Sequence, residues 1–420
     1  MSRRDGMAAR SLGPNYHRLV SAAAASNLAD GVFMVALPLL AVRLTHSPTL
    51  VAGVALAQRL PWLVVALPAG ALADRLDRRR TMVRVNVVRT LVIGALAAAE
   101  AAGAASLPLV YAVALVLGVG ETLFDTAAQS VMPAVVPAGT LSRANGRLYA
   151  VELVANQFVG PPLGGALAAA GLALAFAGSA GAYLVAAGAL AVMAGSFRPE
   201  RVGGPTRLRA DIAEGLRFLW SHRLLRTLGI MLGVSNMAFT THTSIFVLFA
   251  VEPGPMGLTP SGFGLLFAVG AVGGVVGSWV AAPLERRLGP GRVLTLSIVA
   301  GAAGLTVPVV TAGFLPVAAA GALLGLTTVC WNVVTVSFRQ RITPNHMLGR
   351  LNAGYRLLGW GTMPLGAALG GLVAEAAGVR TAFAVSAVLQ LTVLLGRAVV
   401  TDQAMAGAEA AAAGPGRPAA

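Results

Sequence analysis

Charge is what this chain lacks most. Asp, Glu, Lys and Arg make up 11% of its 420 residues, against 56% hydrophobic ones, where a soluble globular protein carries roughly 25% charged residues. With a mean hydropathy of +0.77, most of the chain must have lipid as its solvent. Lysine is missing altogether, so all 31 basic residues are arginine. No G-x-x-x-x-G-K-[ST] loop occurs, which excludes an internal ATP site of the P-loop kind, and no hydrolase or kinase motif is present. The single cysteine, Cys330, excludes an internal disulfide and a thiolate metal cluster. No cofactor or metal site is expected, and the chain is not expected to be an enzyme.

What the chain has instead is long apolar runs. A helix needs about 20 apolar residues to cross a hydrocarbon core of roughly 30 Å. No charged residue lies between Glu152 and Arg198, or between Arg292 and Arg339. Each of these stretches fits a helical hairpin, with turns near Gly171 and Gly313. In all, twelve spans are predicted, near residues 19–43, 48–73, 82–104, 107–130, 148–171, 173–196, 224–250, 261–284, 292–313, 315–337, 352–375 and 380–400. The first run follows arginines without a convincing cleavage site and reads as a retained helix rather than a signal peptide.

Arginine placement sets the orientation, because basic residues stay on the cytoplasmic side. Arg3, Arg4 and Arg10 precede span 1, Arg75 and Arg78 to Arg80 follow span 2, Arg198, Arg201, Arg207 and Arg209 follow span 6, and Arg286 and Arg287 follow span 8. The opposite loops carry little beyond Arg43 and Arg380. Both termini are therefore expected in the cytoplasm of a bacterial cell, with the spans in its inner membrane. The net charge of +15 faces anionic lipid in this arrangement, and no nucleic-acid partner is expected.

The expected organisation is a cytoplasmic segment (1–15), a six-helix bundle (16–196), a linker (197–223), a second six-helix bundle (224–400) and a disordered tail (401–420). The linker contains DIAEGLRFLWSHRLLR from Asp211, whose Ile212, Leu216, Leu219 and Trp220 recur at helical spacing and predict an amphipathic helix on the inner leaflet. The halves repeat in sequence. VVPAGTLSRAN, ending at Asn145, aligns with RITPNHMLGRLN, ending at Asn352, matching Pro137 with Pro344, Leu141 with Leu348 and Arg143 with Arg350. The same alignment sets Asp125 on Asn332 and Glu121 on Thr328, so the acids occur in the first copy only. Substrate sites of duplicated transporters lie between their repeats.

GALADRLDRRR, from Gly70 to Arg80 between spans 2 and 3, resembles the signature loop G-x-x-x-D-R-x-G-R-R of the major facilitator superfamily, with Asp77 where the family has Gly. The resemblance implies a gating role for Gly70, Asp74, Arg75 and Arg78, joined by Asp125 from span 4. GPPLGG, from Gly160 to Gly165, resembles the G-P-x-x-G-G motif of that superfamily's drug/proton antiporters. Its Gly160, Pro161, Gly164 and Gly165 are either that motif or plain small-residue packing: the prolines remove amide donors and the glycines permit close helix approach. RLPWLVVALPAG, EGLRFLW and RQRITPNHMLGRLNAGYRLLGWGTMPLG extend the likeness over almost the whole chain, toward the branch holding macrolide-efflux and enterobactin-type exporters. The resemblance implies an all-α membrane protein with the major facilitator fold, twelve helices in two pseudo-symmetric bundles.

An ionisable group at mid-membrane is costly and marks a candidate site. Asp30 lies roughly 18 Å along span 1 from Arg18, and Arg59 roughly 22 Å before Asp74 at about 1.5 Å per residue, so the two share a depth. They are expected to pair, either as a proton-coupling couple or as a static link between spans 1 and 2. Asn27, Asp30 and Met34 share one helix face, as do Asn236, Thr240 and Thr243 on span 7. Glu121 either pairs with Arg89 at similar depth or receives a cationic substrate. Trp331, Asn332 and Trp360 are placed at the cavity, with packing the alternative for both tryptophans. His242 reads as a packing residue, and Glu152 as a boundary charge.

The functional expectation is export of a small amphipathic molecule, a drug or antibiotic, with a macrolide-like one implied by the resemblance, by a monomer using proton antiport and alternating access. The alternatives are an exporter dedicated to one siderophore or natural product, and a membrane sensor or assembly partner that transports nothing.

Overall fold

A computed structural model describes residues 12–64, 77–137, 140–195, 197 and 208–413. Over these residues the chain is helical, apart from turns and one isolated bridge between Val251 and Leu258. The first half supplies α1 (Pro14–Leu44), α2 (Pro48–Val64), α3 (Arg78–Ala101), α4 (Leu107–Val135), α5 (Leu141–Leu153), α6 (Gly160–Ala170) and α7 (Leu172–Ala191). Then come α8 (Leu208–Ser221), α9 (Arg223–Thr243), α10 (Phe246–Ala250), α11 (Pro260–Leu288), α12 (Pro290–Val310) and α13 (Phe314–Ile342). The chain ends in α14 (Asn345–Gly361), α15 (Met363–Ala377), α16 (Val379–Thr392) and α17 (Asp402–Ala413). Nine helices among the described residues are long and apolar enough to cross a membrane.

Both charge-free stretches turn at the glycines singled out in the sequence. Gly171 separates α6 from α7, and Gly313 caps α13. α5 and α6 form one helix widened by a π turn, Val154–Val159. Pro161 and Pro162 have no N–H with which to continue the α ladder, and the wider turn precedes them, with the Gly160 N–H donating to Ala155 O.

The helices cluster into two compact units. The first holds α1, α3 to α7 and residues Thr259–Leu265 at the start of α11. The second holds Thr45–Leu63, which includes most of α2, together with α8 to α10, the remainder of α11 and everything after it. Inside the first, α1 packs on α6 and α7, and α7 on α3. Tyr16, Met82, Phe124, Val131 and Leu190 form its core. The second is built on Leu225, Leu294, Trp331, Phe338 and Tyr355. Large apolar side chains also stand outside: Leu395 is 79% exposed, Leu315 78% and Trp279 73%. Water would penalise such surfaces, whereas acyl chains match them.

One expectation changes. Residues 402–413 were expected to lack structure, yet they form α17. Their composition is poor in large apolar groups, but Met405 is fully buried, Asp402 Oδ1 accepts from the Gly291 N–H at 2.7 Å, and Glu409 pairs with Arg341 at 2.8 Å. The expected amphipathic linker helix α8 forms, and one face of it packs on protein. A Cβ at Gly215 would strike the Arg350 carbonyl, Glu214 meets Arg350 at 2.7 Å, and Leu219 is buried while Trp220 stays exposed.

Candidate functional site

Asp30 sits midway along α1. Its Oδ1 accepts a hydrogen bond from the Tyr183 hydroxyl of α7, and Nη1 of Arg89, on α3, lies 4.0 Å from the same oxygen. The Arg89 side chain is 2% exposed, that of Asp30 32%. Its guanidinium carbon lies 5.2 Å from the Tyr183 ring centre and 5.6 Å from that of Phe124. A Cβ at Gly120 would come within 3.0 Å of Arg89 Nε, so this glycine leaves room for the guanidinium beside α4. Glu121, the next residue, is half-buried and acts electrostatically on Tyr183. A buried guanidinium needs a counter-charge and aromatic faces to offset lost hydration, and this pocket supplies both.

The expected partner of Asp30 was Arg59. Arg59 lies on α2, in the other compact unit, and the cation set beside Asp30 is Arg89. Counting residues fixed the depth of each charge but not the direction it faces. α1 packs against α7, and α7 against α3, so this face of α1 looks toward Tyr183 and Arg89. Arg89 was visible as a mid-span charge. Tyr183 gave no signal beyond being a lone tyrosine in a charge-free run.

One residue beyond Asp30, α1 meets the GPPLGG segment. A Cβ at Gly31 would lie 2.5 Å from Asn156 O and 2.8 Å from Gly160 Cα, and one at Gly164 would lie 2.7 Å from Val32 O. Gly165 instead faces the start of α11, where a Cβ would lie 2.5 Å from Pro260 O. Pro161 O lies against Gly264, where a Cβ would strike it. The π turn adds Asn156, whose Nδ2 donates to Asn27 O at 3.5 Å. Asn27 Nδ2 turns back to Ala23 O, and Met34 is half-buried on the same helix.

In the second unit Asn236 Nδ2 donates to Gly359 O at 2.8 Å, and Thr240 Oγ1 to Asn236 O at 2.8 Å. Trp360 makes an edge contact with Trp62 of α2, ring centres 3.9 Å apart, and the Arg356 guanidinium lies 5.0 Å from both rings. Trp62 and Arg356 were not anticipated. Trp331 is 8% exposed inside the apolar core, so packing accounts for it, while Asn332 is exposed. His242 is buried and stacks on Phe246. Of the signature loop, Gly70, Asp74 and Arg75 lie outside the described residues. Arg78 opens α3, its N–H donating to Phe197 O at 3.3 Å, and Asp125 lies on α4.

The family model described as a transmembrane secretion effector matches residues 14–416. The chain belongs to this family of the major facilitator superfamily. Members of the superfamily are transporters, and this one is a multi-pass membrane protein. The multidrug efflux pump Tap of Mycobacterium tuberculosis is 33% identical over 379 residues, covering 84% of this chain and 85% of that pump. The enterobactin exporter EntS of Citrobacter koseri is 26% identical over 326 residues, covering 77% and 76%. A solved structure of a bacterial homologue of the iron transporter ferroportin superposes with a TM-score of 0.75 at 16% identity, covering 93% of this chain and 99% of that one. That likeness establishes the major facilitator fold.

Proposed function

We propose that this transporter exports small amphipathic molecules, drugs or antibiotics among them, by proton antiport and alternating access. The observation that carries the proposal is the Asp30 cluster, a half-exposed carboxylate in a membrane helix that accepts from Tyr183 and faces buried Arg89. Protonation cancels the charge that Arg89 faces and weakens the acceptor that Tyr183 uses, so one proton changes how α1, α3 and α7 hold together. Gly31 presses on Gly160 next to it, so such a change reaches the GPPLGG helix directly. Export rather than uptake rests on that motif and on relatives named as efflux pumps. Arg59 keeps a proposed part as a second cation at similar depth. Asp74, Arg75, Arg78 and Asp125 are assigned to a cytoplasmic gate, with both termini on that side of the inner membrane, and the working unit is a monomer.

A second reading, export of one dedicated siderophore, is favoured by the likeness to EntS. A susceptibility and accumulation panel in an efflux-deficient host, run with the intact chain and with Asp30→Asn, separates the cases. Protection against several unrelated drugs that is lost in the variant supports multidrug export. Protection confined to one compound supports a dedicated exporter. No effect on any compound refutes transport of this class and favours a sensor.

A further inference from the structure

The exporter motif has an unmarked twin. Gly160, Gly164 and Gly165 frame G-P-P-L-G-G, and Gly366, Gly370 and Gly371 frame G-A-A-L-G-G in α15, at the same internal spacing but with Ala367 and Ala368 in place of the prolines. The twins also pack alike. Gly160 and Gly164 press on α1, while Cβ atoms at Gly366 and Gly370 would strike the Met237 and Thr241 carbonyls of α9.

The last glycine of each copy receives the first turn of another helix. A Cβ at Gly165 would meet Pro260 O at 2.5 Å, Ser261 Cα at 3.1 Å and Gly264 Cα at 3.2 Å. A Cβ at Gly371 would meet Pro48 O at 3.2 Å, Thr49 Cα at 3.0 Å and Ala52 Cβ at 2.8 Å. The hydroxyls correspond too, Ser261 Oγ donating to Gly165 O at 3.5 Å and Thr49 Oγ1 to Gly371 O at 3.3 Å. So do the caps. Thr259 Oγ1 accepts from the Gly262 N–H at 3.3 Å, and Ser47 Oγ from the Leu50 N–H at 3.4 Å. Thr259-Pro260-Ser261 and Ser47-Pro48-Thr49 are thus equivalent helix starts on equivalent seats. These two starts are also the segments that cluster away from the rest of their own halves.

One difference breaks the symmetry. Glu375, one turn beyond Gly371, accepts from Ser47 Oγ at 2.6 Å and from the Thr49 N–H at 3.2 Å. The corresponding place beyond Gly165 is Ala169. A carboxylate that binds an orphan amide at a helix start fastens that start in place.

We propose that Gly366–Gly371 is a second copy of the exporter motif, that the two copies seat the starts of α11 and α2, and that Glu375 is a positioning residue latching the α2 seat. Resting on the alternating-access reading, the inference adds that both seats part in each cycle and that the α2 seat is the fastened one.

Accessibility at Ser47 tests the latch without any transport substrate. Ser47→Cys is labelled with fluorescein maleimide in membrane vesicles, with and without Glu375→Ala. Labelling is expected to quicken about tenfold in the double variant, the size set by losing the Thr49 N–H bond to the carboxylate, since Ser47→Cys has already given up the serine hydroxyl, with Glu375→Gln in between. Unchanged labelling overturns the latch. A second measurement cross-links Ser47→Cys to Glu375→Cys with a short bismaleimide and follows ethidium export from vesicles. Export is expected to stop in the cross-linked protein and continue in each treated single variant. Continued export with the link formed overturns the parting of the seat. If the intact chain exports neither ethidium nor any other drug tested, the transport reading fails, and the labelling result still decides the latch.

Discussion

Gly31 and Gly160 touch backbone to backbone, so that a Cβ added at Gly160 would lie 2.6 Å from Gly31 Cα. The contact presses the π-turned helix α5–α6 against α1 one residue from Asp30, and it ties the packing of a small-residue motif to an acid set beside a fully buried arginine.

Gly160→Ala should therefore force α1 and α6 apart. Overpacking of this kind costs about 1–3 kcal/mol. The melting temperature in detergent is expected to fall, while Gly94→Ala, with nothing within 4 Å of its added Cβ, is expected to hold or slightly raise it. Equal melting temperatures for the two variants would contradict the contact.

Tyr183→Phe removes the hydroxyl that donates to Asp30 and leaves the ring beside Arg89. A hydrogen bond to a charged group contributes about 1.5–3 kcal/mol, so gradient-driven export should slow about tenfold or more. In an Asp30→Asn background, where only downhill drug movement remains, Tyr183→Phe should slow that movement no further. A further slowing would place Tyr183 in a separate role.

Gly215→Ala and Glu214→Gln test what holds α8 on α14. An exposed ion pair such as Glu214 with Arg350 contributes less than about 1 kcal/mol, whereas a Cβ pushed into the Arg350 carbonyl costs about 1–3 kcal/mol. Thermal unfolding should show Gly215→Ala as the more damaging change by a clear margin.

Met405→Ala should release α17. Truncating a buried methionine costs about 2–5 kcal/mol, more than the surface pairs Arg341 with Glu409 and Arg292 with Asp402 can hold. Hydrogen exchange at residues 402–413 is expected to become fast, with exchange in α12 unchanged. Persistent protection of α17 would mean that other contacts hold it.

Spans and turns were legible because lipid imposes a simple rule on composition, and Gly171 and Gly313 stand where that rule demands a reversal. Azimuth was not. Residue counting assigns Asp30 and Arg59 the same expected depth, but helix packing decides what Asp30 faces, and it faces Arg89. The tail was misread because alanine-rich segments read as unstructured unless a neighbour is known. The face built on Asp402, Met405 and Glu409 has meaning only beside Gly291 and Arg341. The second motif copy was hidden by Ala367 and Ala368, since a search keyed to proline passes over the glycines that make the contacts.

The central claim is that Asp30 carries the coupled proton. Purified protein in liposomes, given an inward proton gradient and a drug that the intact chain exports, should carry protons inward in step with outward drug movement. Asp30→Asn should bind the drug and carry it down its own gradient while moving no protons and accumulating none of it against a gradient. Proton-coupled accumulation by Asp30→Asn at the rate of the intact protein would contradict the account.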